Sequence, residues 1–412
     1  MSSKKITTKG AKSLVKTAGK LQKRSPVVRK KTTMQPTLAV TSTKPKLLIR
    51  LLDRLDNTGP KIHRSWKLFI LGFSSVLILL PSVTYIFAYN YQHSHRDEPL
   101  QLGATFISSY AEYFDLNAKE TLSAILGDLN VKHLRLVSYW SAHEKTKGTY
   151  DFSDLDWQFK MAEERGATIT LALGLRQPRW PECHMPSWTV QEQDSQWIPE
   201  LQKYIEVTVD RYKNSPALVS YQLENEYFLT AFTRCRENSR ERLVNEYQAV
   251  RAHDPLHQIS MNLSSDFGIS IGKPDPDLYG MALYQRVYES RFLKRYITYP
   301  YPSWLYAGRA GFQEFAKGKP AFIHEMQAEP WGPTVVKEMS LAEQDKSMSA
   351  ELFRDRFQYV FDTGIRKIDM WGAEWWYWRK IHFNDPSLWN TAKDTLAKCD
   401  GKSRAVETCL KK

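Results

Sequence analysis

The run Leu218-Val219-Ser220-Tyr221-Gln222-Leu223 reads as a buried strand, yet it ends in Glu224-Asn225-Glu226 with no turn residue between. A second apolar run, Ala321-Phe322-Ile323, passes through His324 into Glu325, and Glu329 follows shortly after. Two carboxyl groups facing each other can break a glycosidic bond: one protonates the leaving oxygen while the other attacks the anomeric carbon or activates water. The acid must keep its proton near neutral pH, which requires burial or a neighbouring carboxylate. An arginine such as Arg135 can hold the other carboxylate ionised and aligned through charge-assisted hydrogen bonds. The chain also carries 13 Trp and 21 Tyr, whose rings offer flat apolar faces to a sugar and polar edges to its hydroxyls.

The elements that must position these residues follow a regular alternation from Leu100 onward. The segments LQLGATFI, VKHLRLVSYW, ATITLALGL, ALVSYQLENEY, QISMNL, LYGMALYQ, KPAFIHEMQAEPW and IRKIDMWGAEWW read as eight strands. Helical patterns lie between them. Leu122, Ile125, Leu126 and Leu129 fall at i, i+3, i+4 and i+7, and DFSDLDWQFKMAEERG stops at Gly166. Aromatic-rich helical sequence follows the sixth strand to about Ala316, and LAEQDKSMSAELFRDRFQYVFDTG predicts one long helix ended by Gly364. Eight such units suit a single (β/α)₈ TIM barrel over residues 100–412. A doubly wound sheet would need a Gly-rich phosphate loop after the first strand, and none is there.

Barrels of this kind place their sites at the C-terminal ends of the strands. Those ends carry Arg135, Tyr139 and Trp140 (second strand), Asn225 and Glu226 (fourth), Tyr284 (sixth), Glu325 and Glu329 (seventh), and Trp371, Glu374 and Trp375 (eighth). Strand alternation sends only about half of the tryptophans at the eighth strand toward a cleft. Trp180 and Trp188, between the third and fourth strands, either brace a long loop or stack on sugar. His184 and His324 read as structural, hydrogen-bonded histidines.

The segments LRLVSYW, GTYDFSDLDWQFKMAEERG, QLENEYF, FIHEM and WGAEWW together resemble the clan A glycoside hydrolases, the (β/α)₈ group of cellulases, β-mannanases and β-galactosidases. The resemblance covers roughly residues 100 to 385. It implies that Glu226 is the acid/base, Glu325 the nucleophile, and Asn225 the partner of the sugar 2-hydroxyl. It also matches Arg135 to the clan's strand-two arginine and Tyr284 to its strand-six tyrosine, both expected in the substrate site, and the strand ends add Trp371, Glu329, Trp140 and Trp375 as expected substrate-binding residues. The clan retains configuration, so the carboxyl groups should stand about 5–5.5 Å apart. Tyr227 follows the Asn-Glu pair where the clan more often has Pro. Glu224 points the other way in an extended strand and reads as a structural ion-pair partner, and Glu374 as a sugar contact or a stabiliser of the strand end. No metal or organic cofactor is implied, and no Cys or His spacing suggests zinc. A catalytically silent carbohydrate-binding barrel and a surface transglycosylase would share this pattern.

The net charge of +13 is concentrated at the N-terminus. Residues 1–67 hold 18 Lys and Arg against Asp53 and Asp56, a net of +16, which leaves −3 for the remainder. This Lys-, Ser- and Thr-rich tail is expected to be disordered and cytoplasmic, and a nucleic-acid-binding arm is the weaker reading. The uncharged stretch 68–89 predicts a helix of about 33 Å, enough to cross a bilayer as a signal anchor. Residues 90–99 read as a linker. The positive-inside rule then puts the barrel outside the cell membrane. Four cysteines suit that side, with Cys183–Cys235 and Cys399–Cys409 the expected disulfides. Asn262 heads an Asn-Leu-Ser sequon.

Overall fold

Strands buried on both faces must be covered by helices outside and by packed side chains inside, and the chain meets both conditions. The computed structural model describes residues 64–229, 233–262 and 272–403. Its first six strands are β1 (Gln101–Phe106), β2 (His133–Val137), β3 (Thr168–Leu173), β4 (Leu218–Leu223), β5 (Gln258–Met261) and β6 (Leu278–Leu283). A two-stranded antiparallel hairpin follows, β7 (Arg286–Glu289) and β8 (Arg295–Thr298). Then come β9 (Ala321–Gln327) and β10 (Lys367–Trp371), the seventh and eighth strands of the barrel.

The eight barrel strands close in the order β1-β10-β9-β6-β5-β4-β3-β2, all parallel. The register aligns Thr105 with Arg135, Arg135 with Thr170, and Thr170 with Ser220, so a polar layer crosses the interior. Thr170 and Ser220 share a 2.7 Å hydrogen bond within it.

Three expectations from sequence are corrected. The sequence after β6 turns back as the β7–β8 hairpin before the helix Ser303–Lys317 begins. The long helix before β10 is two helices, Leu341–Asp345 and Ala350–Phe361, because Ser340 and Ser349 each cap a separate start. The eighth strand stops at Trp371. Gly372, at φ 126°, turns the chain into the helix Ala373–His382, which carries Trp375. A side chain at Gly372 would also meet Glu329, since an added Cβ would lie 2.6 Å from that residue's Cβ.

The apolar helix spans Arg64–Ser94, and its segment Leu68–Ser94 is long and apolar enough to cross a membrane by length and composition. It runs through the first part of the expected linker, and Ala88 and Tyr91 are buried. Its C-terminal half lies against the helix Ser303–Lys317 at two glycines. A Cβ at Gly308 would sit 2.6 Å from the Thr84 carbonyl oxygen, and one at Gly311 2.6 Å from that of Phe87. The Gln92 side chain donates to the Asp362 carbonyl, and the His95 carbonyl accepts from Arg366 Nε. The Cys183–Cys235 disulfide is formed; the pairing expected for Cys409, and the tail through residue 63, lie outside the described residues.

Asp369, midway along β10, is buried without a hydrogen bond to either carboxyl oxygen among the described residues. His133 Nε2 is 3.8 Å away. Burial pushes the Asp369 carboxyl up to about 6, against the opposing pull of Lys367 and Arg135. A raised acid favours the protonated fold, so its contribution is whole below pH 3.8 and is lost as pH rises through about 6. Asp369→Asn should therefore raise stability at pH 7.5 by about 2–3 kcal/mol and flatten the decline between pH 4 and 7 in urea titrations. An unchanged pH profile would refute the assignment.

Candidate active site

Arg135 sits on β2 at 0% exposure, a guanidinium enclosed by the barrel. A buried cation survives only if its N–H groups are met and its charge is balanced. Its Nε donates to Thr105 Oγ1 on β1 (3.0 Å), and Nη1 donates to Gln222 Oε1 on β4 (3.2 Å) and His324 Nδ1 on β9 (2.6 Å). Nη2 donates to Glu325 Oε1 (2.8 Å). Arginine has no acceptor, so His324 must offer its Nδ1 lone pair and carry its proton on Nε2, and the Asn262 amide beside Nε2 must then turn its oxygen, not its NH2, toward the ring. Burial, with Arg135 adding to it, drops the His324 pKa to about 3, and the ring stays neutral as expected of a structural histidine.

The other carboxyl oxygen of Glu325 accepts from the Tyr284 hydroxyl at 2.8 Å. Burial alone would push Glu325 up. Arg135, His324 and the bonds from Arg135 and Tyr284 outweigh it, and the carboxyl titrates below its ordinary value. Tyr284 is correspondingly raised well above the usual phenol range, by burial first and then by Glu325, with Glu226 contributing. Arg135 and Tyr284 thus each hold one oxygen of the Glu325 carboxylate.

Glu226 follows β4 in a left-handed backbone conformation, φ 45°, and Glu224 has φ 56°. Such conformations in non-glycine residues cost of order 1–3 kcal/mol each and persist where surrounding bonds impose them. Here Arg176 imposes them: its carbonyl accepts from Asn225 N–H (2.7 Å), and its Nη1 donates to the carbonyls of Glu226 (2.6 Å) and Leu229 (2.5 Å). Glu224 is buried and accepts from the N–H groups of Leu175 and Arg176 and from Arg242, the structural role expected of it. Asn225 Oδ1 accepts from Gln222 Nε2 at 3.0 Å. Because Gln222 also accepts from Arg135, one chain of bonds runs from the Glu325 counter-ion to the residue preceding Glu226.

Glu329 is occupied differently. Its carboxylate accepts from Arg179 Nη1 and Nη2 (2.7 and 3.1 Å), the Tyr110 hydroxyl (3.1 Å) and Trp371 Nε1 (2.8 Å). The Arg179 guanidinium lies 3.4 Å from the Tyr110 ring centre and 4.2 Å from that of Trp371. Four donors make Glu329 a holder of Arg179 and Trp371, while Glu325 alone of the two faces Arg135.

Two expected substrate contacts are corrected. Trp140 and Trp375 are both wholly buried; Trp140 donates to Glu144 Oε2 and Trp375 to Gln344 Oε1. Trp140 opens a short helix beyond β2, and Trp375 belongs to the helix after β10, so neither keeps strand alternation. Glu374 accepts from Ile107 N–H and is pushed up to about 7 by burial, as a stabiliser of that end. Trp188 braces Glu144 through its carbonyl, whereas Trp180 is exposed. His184 stacks on Tyr139, and Asn262 is buried, while the rest of its sequon lies outside the described residues. Arg176, Arg179 and Tyr110 were not singled out from sequence. The signal was the pair of arginines in RQPRWPECHMPSW, directly after the third strand.

No family model matches the sequence, and neither does any curated protein. Several solved structures align with part of the chain. A β-galactosidase from the haloarchaeon Halorubrum lacusprofundi aligns at 13% identity and TM-score 0.48, over 73% of this chain and 59% of that one. An exo-β-1,4-mannosidase from Opitutaceae bacterium strain TAV5 aligns at 16% and 0.49, over 76% and 58%. A Cellvibrio japonicus xylanase in complex with xylopentaose aligns at 15% and 0.49, over 74% and 68%. The chain spans less than two thirds of the length of the first two.

Removing one member of a buried ion pair leaves the other uncompensated. Arg135→Leu should cost about 3–5 kcal/mol, and Arg135→Leu with Glu325→Gln should cost less than the sum of the single changes by at least about 1 kcal/mol. The pH dependence should change sense as well. With its lowered value, Glu325 stabilises the fold above the ordinary carboxylate range and loses this as pH falls; without Arg135, burial alone makes ionisation destabilising as pH rises. Additive losses in chemical denaturation would disprove the coupling.

Proposed function

We propose that the chain is a retaining β-glycoside hydrolase of the clan A type, with Glu325 as nucleophile and Glu226 as acid/base. The observation that carries this reading is the Glu325 carboxylate, ionised by a buried arginine on one oxygen and held by the Tyr284 hydroxyl on the other. A nucleophile needs that combination: charge at neutral pH and a fixed trajectory. Glu226 stands at the end of β4 after Asn225, the position from which the acid/base would serve the leaving oxygen.

Attack by Glu325 on the anomeric carbon, with proton transfer from Glu226 to the departing oxygen, forms a glycosyl-enzyme. Glu226 then removes a proton from water as that water displaces the sugar from Glu325, and the anomeric configuration is retained. The apolar helix and its basic N-terminal flank support a single-pass anchor with the tail in the cytoplasm, and the disulfide supports an extracytoplasmic barrel.

The full chain in detergent, offered a panel of β-linked aryl glycosides, should cleave at least one. Glu325→Gln and Glu226→Gln should each lower kcat/KM by at least about 10²-fold. Azide should restore turnover of Glu226→Ala and give a glycosyl azide of retained configuration. Activity that survives Glu325→Gln but disappears in Glu329→Gln would sink the nucleophile assignment. Sugar binding without cleavage across the panel would favour a silent binding barrel. Because Glu325 must be ionised and titrates low, the acidic limb of kcat/KM should fall below the ordinary glutamate value of 4.5.

A further inference from the structure

The direction of the apolar helix fixes which end of the barrel meets a membrane. The helix Ser303–Lys317 connects the C-terminal end of β6 to the N-terminal end of β9, so it runs from the catalytic end of the barrel to the opposite end. The apolar helix runs the same way beside it: Thr84 meets Gly308, and Phe87 meets Gly311. Farther along, Gln92 bonds the Asp362 carbonyl and packs at Gly364, just before β10. Its C-terminal end is therefore at the non-catalytic end.

Reading the pairing backward, Leu79 is level with Ser303, and Leu71–Ile78 continue about 12 Å beyond the catalytic end of that helix. Leu71, Phe73, Val76, Leu77 and Ile78 are all exposed. Tyr85 against Trp304, with ring centres 5.8 Å apart, marks the level where aromatic side chains settle at a bilayer surface. The apolar segment thus projects from the catalytic side of the barrel.

The β7–β8 hairpin rises from the same side. It begins just after β6, with the N–H groups of Gln285 and Arg286 bonded to Gln327 at the C-terminal end of β9. Its tip exposes Phe292 (79%) and Leu293 (52%) between Arg291 and Lys294. Apolar side chains flanked by cations match the interfacial zone of a bilayer, with rings at the acyl boundary and cations among headgroups. Trp180, on the loop after β3, is another exposed ring at this end.

We infer that the catalytic mouth faces the bilayer that holds the apolar helix, and that the substrate is the saccharide headgroup of a glycolipid in that bilayer. This rests on the glycosidase reading for the chemistry but not for the orientation. A short tether and an inserted hairpin keep the site within headgroup reach, which raises the effective concentration of a lipid-borne sugar and leaves a dissolved one unaffected.

Two measurements on the full chain in phospholipid vesicles separate these parts. The first carries an environment-sensitive fluorophore at Phe292→Cys or, at the opposite end, at Leu256→Cys, where the native side chain is 87% exposed. Quencher-bearing lipids should quench the label at 292 and leave that at 256 unaffected. Quenching at 256, at both or at neither overturns the orientation whatever the enzyme cleaves. The second measurement compares β-glucosyl, β-galactosyl and β-mannosyl lipids in the vesicle with the same sugars as dissolved aryl glycosides. Phe292→Ser/Leu293→Ser should lower cleavage of the lipid-borne sugar by about tenfold and leave the dissolved one unchanged. Equal losses on both, or no loss, overturn the glycolipid assignment. If Glu325→Gln abolishes no cleavage of either form, the glycosidase reading fails instead, and the quenching result still decides the orientation.

Discussion

The interior of this barrel depends on one buried charge. Arg135 has no solvent to spread its charge into, so its neighbours on three other strands are chosen for it: Thr105 on β1, Gln222 on β4, and His324 with Glu325 on β9. In a low-dielectric interior each bond is strong and each missing one costly, so the guanidinium fixes the tautomer of His324 and the ionisation of Glu325 together. Well-packed apolar residues in place of the whole ion pair would make an equally stable barrel. What the arginine adds is a carboxylate that stays negative while enclosed, which an apolar core cannot hold.

The same constraint explains why the fourth strand ends as it does. Gln222 gives its oxygen to Arg135 and its amide hydrogen to Asn225, so the strand's last inward side chain is already committed. The chain then leaves the barrel through two left-handed glutamates. Glu224 satisfies the N–H groups of the neighbouring loop, and Arg176 from that loop holds the carbonyl of Glu226. The strained turn and its restraints are built from opposite sides of the same loop pair, so neither glutamate can take the other's place.

Most of the barrel was legible because burial on both faces writes continuous apolar runs and because Gly166 and Gly364 end helices where the backbone turns left-handed. Arg135, Asn225, Glu226, Tyr284 and Glu325 stood out as candidates for a related reason: strand ends are fixed by the fold, and polar residues there interrupt an apolar run. Trp375 was misread because Gly372 converts strand to helix within one residue, and period-two reading continues past such a switch. The β7–β8 hairpin was missed because its strands carry Arg, Tyr and Glu on partly exposed faces, with no apolar period to follow. Arg179 was invisible as a site residue since its role comes from Tyr110, Glu329 and Trp371, which are distant in sequence and meet only in the closed barrel.

The loop after β3 shows how such distant residues become one wall. It is tied at three points by different chemistry. Cys183 is bonded to Cys235 beyond β4, Arg176 is bonded to the backbone on either side of Tyr227 and Phe228, and Arg179 is bonded to Glu329 beyond β9. Releasing one tie leaves two that still define the loop's path, so its position is over-determined in the way a strained turn requires. Arg179 spans the barrel mouth from the third strand to the seventh, and its guanidinium lies over Trp371 while Glu329 grips that ring's N–H. The ring is therefore oriented by a carboxylate that is itself saturated by four donors. A side chain held at its edge and covered by a cation is not free to rotate with its neighbours, and the geometry around Glu325 inherits that rigidity.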